Sequence, residues 1–122
     1  MKIDKLFAAL IKEGNNYEIL LVNPTVNYYP KILSKTGEFC EDLASSVGKK
    51  EFSELKAKSS MTLEKGNSWG FSDFIIWYKL SIFDKNDNIQ KVSFSTGKFY
   101  EECPFVDLPI LNKKGYYIEI NV

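Results

Sequence analysis

The chain has 122 residues, 44% of them hydrophobic and 15% aromatic, which is enough to fold as one domain over residues 1–122. Sixteen acidic and sixteen basic residues give zero net charge, and every basic residue is a lysine because the sequence contains neither arginine nor histidine. Without histidine, the common Ser-His and Cys-His triads and imidazole metal ligands are excluded. Because the chain has no arginine and no net positive charge, nucleic-acid binding is disfavoured.

Residues 2–13 predict an N-terminal amphipathic helix. Their apolar side chains recur at helical spacing and leave the charged residues on the other side: Ile3, Leu6, Phe7, Leu10 and Ile11. Gly14, followed by two asparagines, is typical of a helix end. We therefore expect a helix that packs on a sheet.

The sequence also predicts a cytoplasmic protein. The apolar run at residues 6–11 is too short for a secretory signal, and Asp4 lies where a signal carries positive charge. No stretch approaches the roughly 18 apolar residues of a membrane span. Two cysteines far apart in the chain, Cys40 and Cys103, suit a reducing compartment better than a disulfide framework.

The next part of the chain predicts two strands and a helical insert. Residues 17–22 form an apolar run typical of a strand buried on both sides, and residues 25–33 predict an edge strand bent at Pro30. Residues 35–38 predict a turn, and the composition of residues 40–60 favours one or two short helices. The lysines and glutamates of KKEFSELKAK, residues 49–58, then form a solvated face, with a lysine-lined ligand groove as the alternative.

The clearest structural signal is an antiparallel hairpin over residues 74–95. Apolar residues alternate along its first half, DKNDN at 84–88 forms the turn, and Val92 and Phe94 alternate in the returning strand. A further strand is predicted for residues 115–122. The predicted fold class is therefore α+β: one domain with a mainly antiparallel sheet, an N-terminal helix and a central helical insert packed on one face.

The segment KFYEECPFVDLP, residues 98–109, is the candidate functional site. It lacks the histidine or second cysteine that would complete a metal shell, and Cys103 lacks a base to activate it, so we predict no metal, no cofactor and no catalytic residue here. Acid–base catalysis by two carboxylates stays an alternative, although no second carboxylate is selected. Phe99, Cys103 and Phe105 are expected in the core.

The same segment can also present a docking edge to a protein partner. An aromatic anchor surrounded by carboxylates suits a lysine- or arginine-rich surface. A second acidic cluster, EFCED at residues 38–42, extends the patch. The predicted partner-binding residues are Tyr100, Glu101, Glu102 and Asp107, joined by Glu41 and Asp42.

Residues 74–107 resemble part of the small bacterial immunity proteins of polymorphic and contact-dependent growth inhibition systems. The residues that carry the resemblance are FIIWYKLSIFD, at 74–84, and KVSFSTGKFYEEC, at 91–103. It implies a compact cytoplasmic α+β protein that binds one toxin domain and covers its active site, often with an acidic surface. The neutral charge of this chain departs from that pattern and leaves only local acidic clusters.

The leading hypothesis from the sequence is therefore a non-catalytic, cytoplasmic inhibitor that binds a protein and neither nucleic acid nor membrane, most plausibly an immunity protein. One alternative is a phage-encoded inhibitor of a bacterial defence system. Another is a small enzyme or ligand-binding α+β domain that uses carboxylates or lysine. The last alternative is a structural component of a phage or secretion system that self-associates.

Overall fold

The computed structural model describes residues 5–40, 43–44, 48–66, 75–97 and 102–121, and the regular structure in these ranges is β-strand with no α-helix. The strands are β1 (Phe7–Glu13), β2 (Asn16–Asn23), β3 (Lys31–Cys40), β4 (Leu43–Ala44), β5 (Gly48–Phe52), β6 (Ser59–Gly66), β7 (Ile75–Phe83), β8 (Ile89–Gly97), β9 (Phe105–Leu108) and β10 (Lys113–Ile118).

These strands form two antiparallel sheets of five strands each. Sheet 1 has the order β6-β2-β1-β10-β9. Sheet 2 has the order β4-β3-β7-β8, and β5 also pairs with β3. The inner faces of the two sheets share one apolar core, to which Leu10, Leu21, Ile32 and Leu80 contribute. The arrangement is a β-sandwich, in which alternate residues of each strand face the core.

The predicted α+β class is wrong, and the N-terminal helix is the first reason. Phe7–Glu13 is a strand between β2 and β10, and its residues from Phe7 to Ile11 are all buried. Burial on both faces explains this: Leu10 contacts the core between the sheets, whereas Phe7 belongs to a second apolar cluster on the other side of sheet 1. A strand buried on both faces has no period-two pattern, so its apolar residues also matched a helical stripe.

Gly14 ends β1 by starting a hairpin turn and not by ending a helix. Glu13 pairs with Asn16, so Gly14 and Asn15 are the two turn residues. The φ of Gly14 is 62°, a value that suits glycine at the first position of a tight two-residue hairpin turn.

The prediction of a central helical insert is also wrong within the described residues. Residues 43–44, 48–52 and 59–66 are strands, and β5 pairs with β3 from Phe52 opposite Ile32 to Gly48 opposite Thr36. Most side chains of β5 are exposed. A solvated edge strand and a solvated helix have the same lysine- and glutamate-rich composition, so composition alone did not separate them.

The predicted edge strand at residues 25–33 and the turn at residues 35–38 are wrong as well. The chain runs through a loop before Lys31, and β3 then continues through residues 35–38 as a central strand between β7 and β5. Gly37 lies directly opposite Trp77 in this pairing. The KTGE tetrapeptide therefore lies inside a strand, because pairing on both sides outweighs its turn propensity.

The predictions for β2, the hairpin and the last strand are confirmed. β7 and β8 pair from Phe83 opposite Ile89 to Ile75 opposite Gly97, with the turn where DKNDN predicts it. Ile76, Tyr78, Leu80 and Ile82 lie on the buried face, as the alternation indicated. β10 is a strand, although it lies between β1 and β9 and not at the side of the sheet.

Candidate functional site

The described part of the predicted docking segment forms an edge strand. β9, Phe105–Leu108, is the last strand of sheet 1, and β10 is its one partner among the described strands. Pro104 precedes it and Pro109 follows it. Proline cannot donate a backbone hydrogen bond, so the two prolines favour an edge position for this strand.

Phe105 is exposed, which corrects the prediction that it packs into the core. Its side chain has 60% of its surface accessible, and its ring contacts Tyr116 with the centroids 5.0 Å apart. Phe105 pairs with Tyr116 across β9 and β10, and this contact orients the ring. Sequence reasoning missed this residue because a phenylalanine beside a cysteine and two prolines is more often buried.

Two of the predicted partner-binding residues lie in the described part of this segment: Glu102 precedes β9, and Asp107 lies within it. Glu102 and Asp107 are both exposed, and Asp107 lies opposite Lys114 in the register of β9 and β10. Tyr100, Glu101, Glu41 and Asp42 fall outside the described residues. We call Glu102, Phe105 and Asp107 the β9 edge.

Cys103, within the same segment, is a free and half-buried thiol that packs against the core. Burial, and after it the neighbouring Glu102 carboxylate, raise the pKa of this thiol above its ordinary value. A raised pKa leaves little thiolate near neutral pH, so Cys103 is a weak nucleophile. Among the described residues, no group of three cysteine, aspartate or glutamate side chains is placed to hold a metal ion.

Sheet 2 carries a second polar surface that sequence reasoning did not predict, although one of its lysines, Lys49, belongs to the segment for which a lysine-lined groove was the alternative. Lys35 of β3 lies directly opposite Lys49 of β5 on one side and Lys79 of β7 on the other. The three side chains are exposed on the outer face of the sheet. We call the five exposed lysines of this outer face the lysine face: Lys31, Lys35, Lys49, Lys79 and Lys91.

The indole ring of Trp77 lies on the same outer face, opposite Gly37. The Trp77 ring covers Gly37 so closely that a Cβ added at the glycine would come within 2.5 Å of it. The ammonium group of Lys79 lies 5.4 Å from the ring centroid, a cation–π distance. Trp77 is half-buried and therefore keeps part of its surface accessible beside the lysines.

A cleft of about 650 Å³ lies at the β1–β2 hairpin end of sheet 1. Two glutamates, Glu13 and Glu18, line it together with Lys65 and Lys113. Glu18 already accepts a hydrogen bond from the Thr62 hydroxyl and lies opposite Lys65. One oxygen of the Glu18 carboxylate is therefore already engaged within the protein.

The one strongly shifted pKa among the described residues belongs to a core residue. The Tyr78 hydroxyl lies in the interior of the sandwich, and its ring stacks on Phe94 with the centroids 4.8 Å apart. Burial, and then the charge of Glu64, raise the pKa of this phenol, so Tyr78 stays protonated and neutral. The stacked ring of Tyr78 is therefore part of the packing of the core.

No known protein family, no curated protein and no solved structure matches this chain. Within the described residues, no helix is long and apolar enough to cross a membrane.

Proposed function

We propose that this chain is a non-catalytic inhibitor that binds another protein through the β9 edge, in the manner of an immunity protein that covers the active site of a toxin. The observation that carries the proposal is the 60% exposure of Phe105 on an edge strand whose flanking carboxylates, Glu102 and Asp107, are also exposed. Exposed aromatic side chains of this kind are typical anchors of protein interfaces.

The chemistry of the β9 edge supports a partner with a basic cleft. Phe105 can enter an apolar pocket, while Glu102 and Asp107 can pair with lysine or arginine around its rim. Tyr116 supports the ring from behind, so little side-chain freedom is lost on binding. The inhibitor acts by occlusion, because a bound edge strand denies substrate access to the cleft. A phage-encoded inhibitor of a defence enzyme has the same mechanism and stays an alternative partner class.

The weakly nucleophilic thiol of Cys103 and the neutral phenol of Tyr78 support a binding function over catalysis. In the cleft near Glu18, that carboxylate accepts a hydrogen bond from the Thr62 hydroxyl. These observations favour the inhibitor over the small enzyme, which was one of the alternatives from the sequence.

The test begins with affinity capture from the native host on the tagged chain, washed at high salt, followed by titration with the purified partner. We expect one stoichiometric partner whose activity falls as the chain is added. Phe105→Ala should weaken this complex by at least roughly tenfold, as expected for an interface anchor. Reversing the charges with Glu102→Lys and Asp107→Lys should mainly slow association and reduce its salt dependence.

Ile89→Ala is the matched control, because Ile89 is also a large apolar side chain on an edge strand, with 52% of its surface exposed. It should leave affinity unchanged. All variants should stay folded, since the altered side chains are exposed, although Asp107→Lys places a lysine opposite Lys114 and should lower the melting temperature slightly. Equal affinity of Phe105→Ala and Ile89→Ala would exclude the β9 edge, and a partner whose activity survives saturation would exclude inhibition.

A further inference from the structure

We infer that the lysine face is a binding surface for single-stranded nucleic acid, independent of the β9 edge. Its centre is the row formed by Lys49, Lys35 and Lys79, which lie directly opposite one another on three adjacent strands. Neighbouring strands are roughly 4.8 Å apart, so the backbone positions of the three lysines lie within about 10 Å of one another. Like charges placed directly opposite each other destabilise a sheet, and an anion bound across the row would remove that cost.

Carboxylates do not neutralise this row. Among the described residues of the outer face, Glu51 is the one carboxylate, and it forms an ion pair with Lys31 at 3.3 Å. Lys35, Lys49 and Lys91 make no ion pair within the described part of the chain. A bound phosphate chain could supply the counter-charge that the protein itself does not place there.

Trp77 adds a second, independent feature that indicates the class of ligand. Its indole covers Gly37, and the ammonium group of Lys79 lies over the ring, 5.4 Å from its centroid. Proteins that bind single strands combine a positive track for the backbone with an aromatic ring on which a base stacks. Lys79 and Trp77 provide both elements on adjacent positions of the outer face of one strand.

The same observations disfavour an acidic protein and a duplex as the occupant. Lysine is depleted in protein–protein interfaces, whereas nucleic-acid interfaces are much more positively charged. A duplex is usually read by an element that enters a groove, and the outer face of a sheet is too broad to do so. The zero net charge of the chain does not oppose this inference, because it averages over a lysine-rich face and an acidic β9 edge.

The experiment is a fluorescence-anisotropy titration of a labelled oligothymidine of about 20 nucleotides with the full chain, at about 50 mM and about 200 mM salt. The test variant is Lys35→Gln/Lys49→Gln/Lys79→Gln. The matched control, Lys65→Gln/Lys85→Gln/Lys113→Gln, removes the same charge elsewhere on the surface. Binding by wild type should weaken with salt, and the test variant should lose roughly tenfold in affinity or more at the lower salt.

The salt dependence separates the lysine face from a general charge effect. Log K falls as log salt rises, and each lost phosphate contact makes this slope shallower by about 0.7. The slope of the test variant should therefore be shallower by about 2, whereas that of the control should not change. Equal losses in both triple variants, tighter binding of a duplex, or equally tight binding of polyglutamate would each overturn the inference. So would no binding at the lower salt. The test variant should still bind the protein partner, so the two proposals fail separately.

Discussion

Lys35 and Lys79 lie directly opposite each other across β3 and β7, and Lys49 lies opposite Lys35 on its other side. Two like-charge pairs meet at Lys35, so we predict that Lys35→Glu stabilises the protein by about 0.5–1 kcal/mol by turning both repulsions into attractions. The free energy of unfolding, measured by urea denaturation at low salt, checks this. The gain should shrink at about 1 M salt, because ions screen exposed charges.

Lys113→Glu is the control for this prediction, since Lys113 is an exposed strand residue that lies opposite Leu108 and no lysine. Its free energy of unfolding should not rise. If Lys35→Glu destabilises the chain, or if both variants change stability equally, repulsion between the opposed lysines does not lower the stability of the sheet.

Asn23 is fully buried and holds two loops together. Its side-chain amide donates hydrogen bonds to the carbonyl oxygens of Asn27 at 2.8 Å and Lys56 at 3.0 Å, and its oxygen accepts from the backbone N–H and the hydroxyl of Thr25. Asn23→Ala removes all four bonds and leaves buried polar groups unpaired. We expect a loss of about 2–3 kcal/mol in the free energy of unfolding.

Asn27→Ala serves as the matched control, because the Asn27 side chain is exposed and only its backbone takes part in the network. It should change stability by no more than about 0.5 kcal/mol. A result in which the two alanine variants are equally stable would show that Asn23 contributes nothing beyond its volume.

The contribution of the Asp84 carboxylate to stability can be tested by its dependence on pH. The backbone N–H of Asn86 donates to its carboxylate at 2.8 Å and that of Asn88 at 3.0 Å, and these bonds lower the pKa of Asp84 below its ordinary value of 3.8. Because the folded-state pKa is the lower one, the contribution to stability is present above 3.8 and is lost as the pH falls through the folded-state value.

We therefore expect Asp84→Asn to melt at a lower temperature than wild type at about pH 7, and the difference to disappear at about pH 2. Calorimetry or circular dichroism at the two pH values measures it. Asp87→Asn is the control in the same turn, where the side chain is exposed and asparagine also tolerates the φ of 62°. A melting difference that is independent of pH would show that the Asp84 charge has no role.

The amino-acid sequence determined the elements whose signals are local. In β7 and β8 one face is buried, so apolar residues alternate and DKNDN marks the turn between them. The last strand follows from its own aromatic and β-branched residues. The lack of histidine and arginine is likewise a property of the sequence, and the missing histidine by itself excludes the common triads.

Only the tertiary structure decided between helix and strand for Phe7–Glu13. Five consecutive buried residues fit either element, and the pairing of β1 with β2 and β10 makes it a strand. The same holds for β3, whose KTGE segment would turn in isolation but is paired on both sides. These outcomes depend on partner strands that are distant in the sequence, and no local pattern contains that information.

Both candidate surfaces also depend on the tertiary structure. The sequence predicted an acidic docking segment that included Glu102 and Asp107, but the exposure of Phe105 follows from the position of β9 at the edge of sheet 1. The lysines at positions 35, 49 and 79 are scattered in the chain, and strand register sets them in one row. Composition fixes how many charges a chain carries, whereas long-range pairing decides which of them become neighbours.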